Sequence, residues 1–255
     1  LHSVQRILPV TRFFLDEALL PGGWSHGVSV SVGPDGQIRD VETGQDPSPD
    51  AIRLGVVLPG MPNVHSHAFQ RGMAGLAERS GEGSSSFWSW RKAMYAFNDR
   101  LTPEQVEVIT ALAQCEMLES GFTTVGEFHY LHHDVDGRPY ADPGELAGRV
   151  CAAAARTGIA LTLLPVFYRH GGFGGATPTH GQRRFVTGVD DYEAIVASSR
   201  RHVSELPHGG VGIAPHSLRA ASVEDIREIV AFATRRHITV IPEIDIPSVL
   251  VGMST

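Results

Sequence analysis

The stretch that decides the fold is LPGMPNVHSHAFQRG, residues 58–72. It closes an apolar run, passes Pro59-Gly60 and Pro62, and ends on two histidines, His65 and His67, one residue apart. In an extended chain residues i and i+2 point to the same side, so both imidazoles can face one metal ion. The chain carries 13 histidines, and one such pair is about what chance supplies, so spacing alone leaves ligand and coincidence both open. Position is the better guide. A doubly wound nucleotide-binding sheet places a glycine-rich phosphate loop after its first parallel strand, and here that place holds Asn63-Val64-His65-Ser66-His67. A histidine pair ending a strand points instead to a metal at the mouth of a TIM-type barrel, whose chemistry sits at the C-terminal strand ends.

Outward from the pair, strands and helices alternate. GVVLPGMPNV (55–64) reads as the strand that delivers the histidines, followed by FTTVGEFHYL (122–131), IALTLLPVFY (159–168), GVGIAPHSL (210–218) and ITVIPEIDI (238–246). Between them lie four helical patterns, 102–121, 142–158, 190–206 and 222–237. The first has Thr102 as N-cap, Pro103 at its first position and Gly121 as its stop; the second is capped by Asp142 and stopped by Gly158. Such alternation builds right-handed βαβ units and a parallel sheet. About five βα strands are legible where closure needs eight, so the expected fold class is α/β, an incomplete (β/α)8 TIM-type barrel. An open doubly wound sheet is the alternative. Upstream, residues 12–57 carry short strands broken by Gly and Pro, with a hairpin around Pro34-Asp35-Gly36.

Polar residues gather at the strand ends: Glu127 and His129 in EFHYLHH (127–133), His216 in APHSLR (214–219), and Asp245. Tyr130 or a histidine of the first cluster is placed to touch a substrate, although such clusters also decorate polar loops. Arg219 has the planar fork that holds a carboxylate, against the plainer reading of a surface arginine opening a loop. SSSFWSWRKAMY (84–95) reads as an aromatic loop carrying Trp88 and Trp90, from which Arg91 reaches a substrate anion. The glycine-rich HGGFGGATPTHGQRR (170–184) lacks the lysine and spacing of a phosphate loop, and no G-x-S-x-G elbow occurs.

A net charge of −7 argues against a nucleic-acid surface, and no apolar run reaches membrane-span length. The N-terminal residues show no signal-peptide h-region, and Cys115 and Cys151 sit in alanine-rich helical patterns, read as buried free thiols. Both point to the cytoplasm, with no membrane and no nucleic-acid partner.

Five separated motifs carry a family resemblance: LPGMPNVHSHAFQRGMAGLAE, SFWSWRKAMY, EFHYLHHDVDGRPYADP, LLPVFYRHGGFGG followed by GQRRF, and GIAPHSLRA. Together, over about residues 14–221, they resemble the N-formimino-L-glutamate deiminases, zinc-dependent amidohydrolases of histidine degradation. The resemblance implies a (β/α)8 barrel with a small β-sandwich: 1–11 as an extension, 12–54 as the partial sandwich, and 55–255 as a truncated barrel whose residues 222–255 are an atypical tail. It implies His65 and His67 as zinc ligands, and Gln70, Arg91, Tyr130, His216 and Arg219 around a small dicarboxylate substrate. It also implies a homodimer. The family's later histidine, glutamate and aspartate have no match here, so the implied zinc site is incomplete and no catalytic residue carries over; Glu243 and Asp245 are the carboxylates nearest the right place. EDIREIVAFATRRHITVIPEIDIP (224–247) is similar to a β-hexosaminidase segment, which suggests a join near residues 220–224. Two expectations follow: a deiminase impaired by truncation, or a non-catalytic remnant with weak metal binding. A sugar hydrolase built on the tail ranks last, because it needs a paired carboxylate dyad.

Overall fold

The computed structural model describes residues 10–76 and 87–242 and divides into two compact units, Leu1–Gly60 and Met61–Thr255. The first unit is a four-stranded sheet of β1 (Thr11–Leu20), β2 (Gly23–Val32), β3 (Ile38–Glu42) and β4 (Ile52–Val57), in the order β3-β2-β1-β4. β1–β2 and β2–β3 are antiparallel, and β4 pairs parallel with β1. The β2–β3 turn forms at Pro34-Asp35-Gly36 as expected. Gly33 N–H donates to the Gln37 carbonyl at 2.8 Å, and Gly36 takes the left-handed φ of 77° such a turn requires. Leu15, Ala18 and Val28 form its small core.

The second unit holds a five-stranded sheet: β5 (Met61–Ser66), β6 (Phe122–His129), β7 (Ala160–Phe167), β8 (Gly210–Pro215) and β9 (Thr239–Val240). All pairings are parallel and the order is β5-β6-β7-β8-β9. The order runs without reversal, whereas a doubly wound sheet must reverse at its switch point, so that alternative fails. The connections carry α1 (Phe87–Asn98), α2 (Pro103–Glu119), α3 (Glu145–Thr157), α4 (Val189–Val203) and α5 (Val223–Arg235). The two faces of the sheet differ. Val125, Leu161 and Leu163 pack with α2 and α3, and Phe167 and Ile213 with α4 and α5. Phe128, Leu164, Val166 and Ala214 form a separate cluster on alternate positions, with no helical residue in it.

Several expectations need correction. GVVLPGMPNV is two strands in different sheets, since Val57 ends β4 and Met61 begins β5. Pro59 lacks the N–H a continuous ladder needs. The aromatic segment is helical from Phe87 onward rather than a loop, which puts Arg91 on α1. Thr102 does cap α2, in a capping box with Gln105, and Gly121 follows with φ 87°. The N-cap of α3 is Gly144, because the Asp142 carboxylate turns outward to His202 at 2.9 Å while accepting Gly144 N–H at 3.0 Å. Both cysteines are free as expected, but Cys115 is exposed and only Cys151 is buried. β9 is shorter than its sequence pattern, and Glu243 and Asp245 lie outside the described residues. Among the described residues no helix is long and apolar enough to cross a membrane.

Candidate functional site

The C-terminal ends of β5 to β8 build the site. β5 delivers His65 and His67, whose Nε2 atoms converge to 3.2 Å. The His65 ring rests on Phe128 with centroids 4.4 Å apart, so the pair sits over the helix-free face of the sheet. His67 Nδ1 lies 3.0 Å from the Phe128 carbonyl, which only accepts; this fixes Nδ1 as the protonated nitrogen and leaves Nε2 with its lone pair. Two ring nitrogens on one tetrahedral zinc, each at about 2.0–2.1 Å, stand roughly 3.3 Å apart. The pair therefore fits a shared metal, and the Nδ1–carbonyl contact is the usual outer support of a ligating histidine. Among the described residues no group of three or more His, Cys, Asp or Glu side chains converges in that way.

Glu127, buried at the end of β6, accepts the Ala68 N–H at 2.7 Å. That bond pins the backbone immediately after His67. Beyond it, His129 and His132 are buried, and desolvation pushes their pKa values down to about 4 and about 3, with a smaller contribution to His132 from His129. His132 Nε2 donates to the Val166 carbonyl and His133 Nε2 to the Val186 carbonyl, each at 2.9 Å. All three histidines of the EFHYLHH cluster are buried, and desolvation keeps His129 and His132 neutral.

Tyr130 links the two ends of the site: its ring lies 5.1 Å from His67 and 5.7 Å from His216. His216, on the segment leaving β8, accepts Ser217 N–H at Nδ1 (2.7 Å), so Nε2 carries its proton. Tyr168 follows β7, with its ring 4.9 Å from His216. Its hydroxyl accepts from Gln182 Nε2 at 2.6 Å and from Arg219 Nη1 at 3.3 Å. Arg91 donates to the Tyr95 hydroxyl at 2.6 Å. Burial, then the neighbouring Tyr168, push the Tyr95 pKa up to about 12, against the pull of Arg91 and Arg219. Tyr95 thus stands within electrostatic reach of both arginines. Gln70 turns its amide toward Met94 of α1, at 3.9 Å from the sulfur.

The structure therefore brings together His65, His67, Tyr130, His216 and Arg219, and joins Arg91 to them through Tyr95; Gln70 is seated against α1. Sequence reasoning did not single out Tyr168, Tyr95 or Gln182. The first reads as a strand-end aromatic, the second as part of an aromatic segment, the third as a loop residue. The available signal was their place inside the quoted motifs LLPVFYRHGGFGG, SFWSWRKAMY and GQRRF.

A match to the Amidohydrolase family covers residues 56–241, from the end of β4 through β9. The chain belongs to this family. Among curated amidohydrolase relatives, the formimidoylglutamate deiminase of Pseudomonas aeruginosa is 48% identical over 224 residues, covering 87% of this chain and 49% of that protein. A solved amidohydrolase from Brucella melitensis superposes with a TM-score of 0.85 at 47% identity, over 88% of this chain and 50% of that one. An adenosine deaminase from Xanthomonas campestris with bound zinc shares the fold at 17% identity, with a TM-score of 0.66 over 91% of this chain and 48% of that one. This amidohydrolase chain thus spans about half the length of the relatives it matches.

Proposed function

We propose that this chain acts in zinc-dependent hydrolysis of N-formimino-L-glutamate to N-formyl-L-glutamate and ammonia, a step of histidine degradation in the cytoplasm. The observation that carries the reading is the convergent Nε2 pair of His65 and His67 beside a corner rich in arginine and phenol. The 48% identity to a formimidoylglutamate deiminase supports the substrate. Bound zinc supplies a water of lowered pKa. The protein's own residues hold and orient the reactants. His67, held by the Phe128 carbonyl, and His65 hold the metal; Arg219 and Arg91 bind the two carboxylates; Tyr130 and the Nε2–H of His216 orient the substrate between them. Water adds to the amidine carbon, both of its protons pass to the terminal nitrogen, and the C–N bond to that nitrogen breaks to release ammonia and leave the formyl group. Gln70 lines the substrate space from the turn after His67.

The same reading extends to the fold. β5–β9 are the leading strands of a (β/α)8 barrel, which the order without reversal and the apolar cluster on the helix-free face support. The unit of β1–β4 is part of a small β-sandwich and the unit of β5–β9 the barrel portion, with the boundary at Gly60 rather than at residue 54, in a chain that forms homodimers.

A second reading, a non-catalytic remnant with weak metal binding, is favoured by one observation: two, not three, metal-ligand side chains converge among the described residues. A catalytic zinc usually has three protein ligands and a water. Zinc per chain and ammonia release from N-formimino-L-glutamate separate the two. Stoichiometric zinc with ammonia release supports the deiminase; weak zinc without ammonia supports the remnant.

A further inference from the structure

The hydroxyl of Tyr168 has a hydrogen-bonding state that can be worked out atom by atom. A phenol oxygen accepts two hydrogen bonds and donates one. Both acceptor positions are filled by groups that can only donate in this direction, the Gln182 amide at 2.6 Å and the Arg219 guanidinium at 3.3 Å. Gln182 has no freedom to reverse. Its Oε1 accepts Thr179 N–H at 2.8 Å and the Thr179 hydroxyl at 2.9 Å, so Nε2 must face the phenol. Among the described residues no acceptor lies within hydrogen-bond distance of the proton that Tyr168 itself donates. The ring cannot swing away to find one: it is 3% exposed and packed by Phe185 and His216, with centroids at 5.9 and 4.9 Å. A buried donor held so rigidly without an acceptor costs free energy unless a ligand completes it.

The surroundings define that ligand. The two groups that meet the Tyr168 hydroxyl, the Gln182 amide and the Arg219 guanidinium, both present hydrogen, so an ammonium there would meet donors, while a carboxylate would meet partners.

We propose that Tyr168 is a substrate-contacting residue that donates its O–H to a carboxylate held by Arg219, with Gln182 as the positioning residue that fixes the phenol in that donor state. This rests on the dicarboxylate reading of the site and adds to it the residue that selects a carboxylate over its amide at this corner.

The test is equilibrium binding to the full chain of glutarate and of its diamide, in which both carboxylates are amides. Tyr168→Phe is expected to weaken glutarate about tenfold or more and to leave the diamide within about twofold, because bonds to charged groups are the strong ones. Equal losses for both ligands would overturn the contact. A second variant guards against a purely structural effect: 3-fluorotyrosine at position 168. Its O–H is a stronger donor and its oxygen a weaker acceptor. Glutarate affinity kept or raised supports direct donation; affinity lowered means that Tyr168 serves only to hold Arg219, and overturns the proposal. Failure of the wild-type chain to bind glutarate sinks the dicarboxylate reading and this inference together. Wild-type binding with an indifferent Tyr168→Phe sinks this inference alone.

Discussion

β5 and β7 reach the same rim of one sheet in opposite surroundings. Among the described residues β5 ends the strand order: Met61 is 47% and Val64 76% exposed, and His65 at its end is exposed too. β7 is central, with every residue from Leu163 to Phe167 buried, and Tyr168 after it is held by rings and hydrogen bonds on all sides. The edge supplies metal-type ligands that a cation would draw into register. The centre supplies a recognition corner already fixed before a ligand arrives. Preorganisation of this kind lowers the ordering cost of binding, and only the buried strand provides it.

The largest expected effect breaks the edge. His65→Ala or His67→Ala removes half of the convergent pair and is expected to abolish stoichiometric zinc and to cut ammonia release by more than about a hundredfold, read by metal analysis and an ammonia assay. Glutarate binding at the β7–β8 corner should survive. Loss of both together would mean that the two ends are not separate parts.

The next effect lies under the centre. His129 and His132, desolvated to pKa values of about 4 and about 3, stay neutral in the fold as pH falls, while in the unfolded chain they take up protons below about 6.5. Unfolding is therefore favoured by acid. Each histidine contributes a slope of up to about 1.4 kcal/mol per pH unit between its unfolded and folded values, and its full stability is present above the unfolded one. Urea melts of His129→Leu from neutral pH to about 4 should show a shallower loss than wild type; an unchanged slope would mean that His129 is not the buried neutral group described.

A smaller effect concerns how β7 is tied to its neighbour. Buried Asp225 accepts Arg169 Nη1 at 2.6 Å and His170 Nε2 at 2.9 Å, and caps α5 through Ser222. Asp225→Ala should cost about 2–3 kcal/mol in urea unfolding. It should also loosen the Tyr168–Arg219 corner, weakening glutarate with little change in zinc content. The smallest effect is chemical. In the native protein one thiol should react with Ellman's reagent: Cys115 is exposed, while burial pushes Cys151 up to about 12. Cys115→Ser should remove that reactivity and leave stability unchanged within about 0.5 kcal/mol.

Much of this arrangement was legible in residue order. The alternating apolar patterns located β6, β7, β8 and four of the helices, and Thr102-Pro103 marked the start of α2. His65-x-His67 stood out as a candidate pair because strand periodicity puts i and i+2 on one side, although spacing alone left ligand and coincidence both open. The break at Pro59-Gly60 was visible yet misread, since only ladder pairing shows that β4 and β5 belong to different sheets. EFHYLHH looked like a cluster of site residues. Burial divides it, with Tyr130 turned to His67 and His216, and His129, His132 and His133 in the core.

The sequence by itself determined the alternation of β6, β7 and β8 with helices α2 to α5 and the candidate histidine pair, because these follow from local periodicity, capping and the chemistry of imidazole. The tertiary structure alone decided how the pair is used: that its two Nε2 atoms converge, that Glu127 fixes the backbone behind them, and that Gln182 and Arg219 turn the Tyr168 phenol into a donor. The last two of those states depend on groups that meet across 14 to 59 residues of chain, and on how completely water is excluded where they meet.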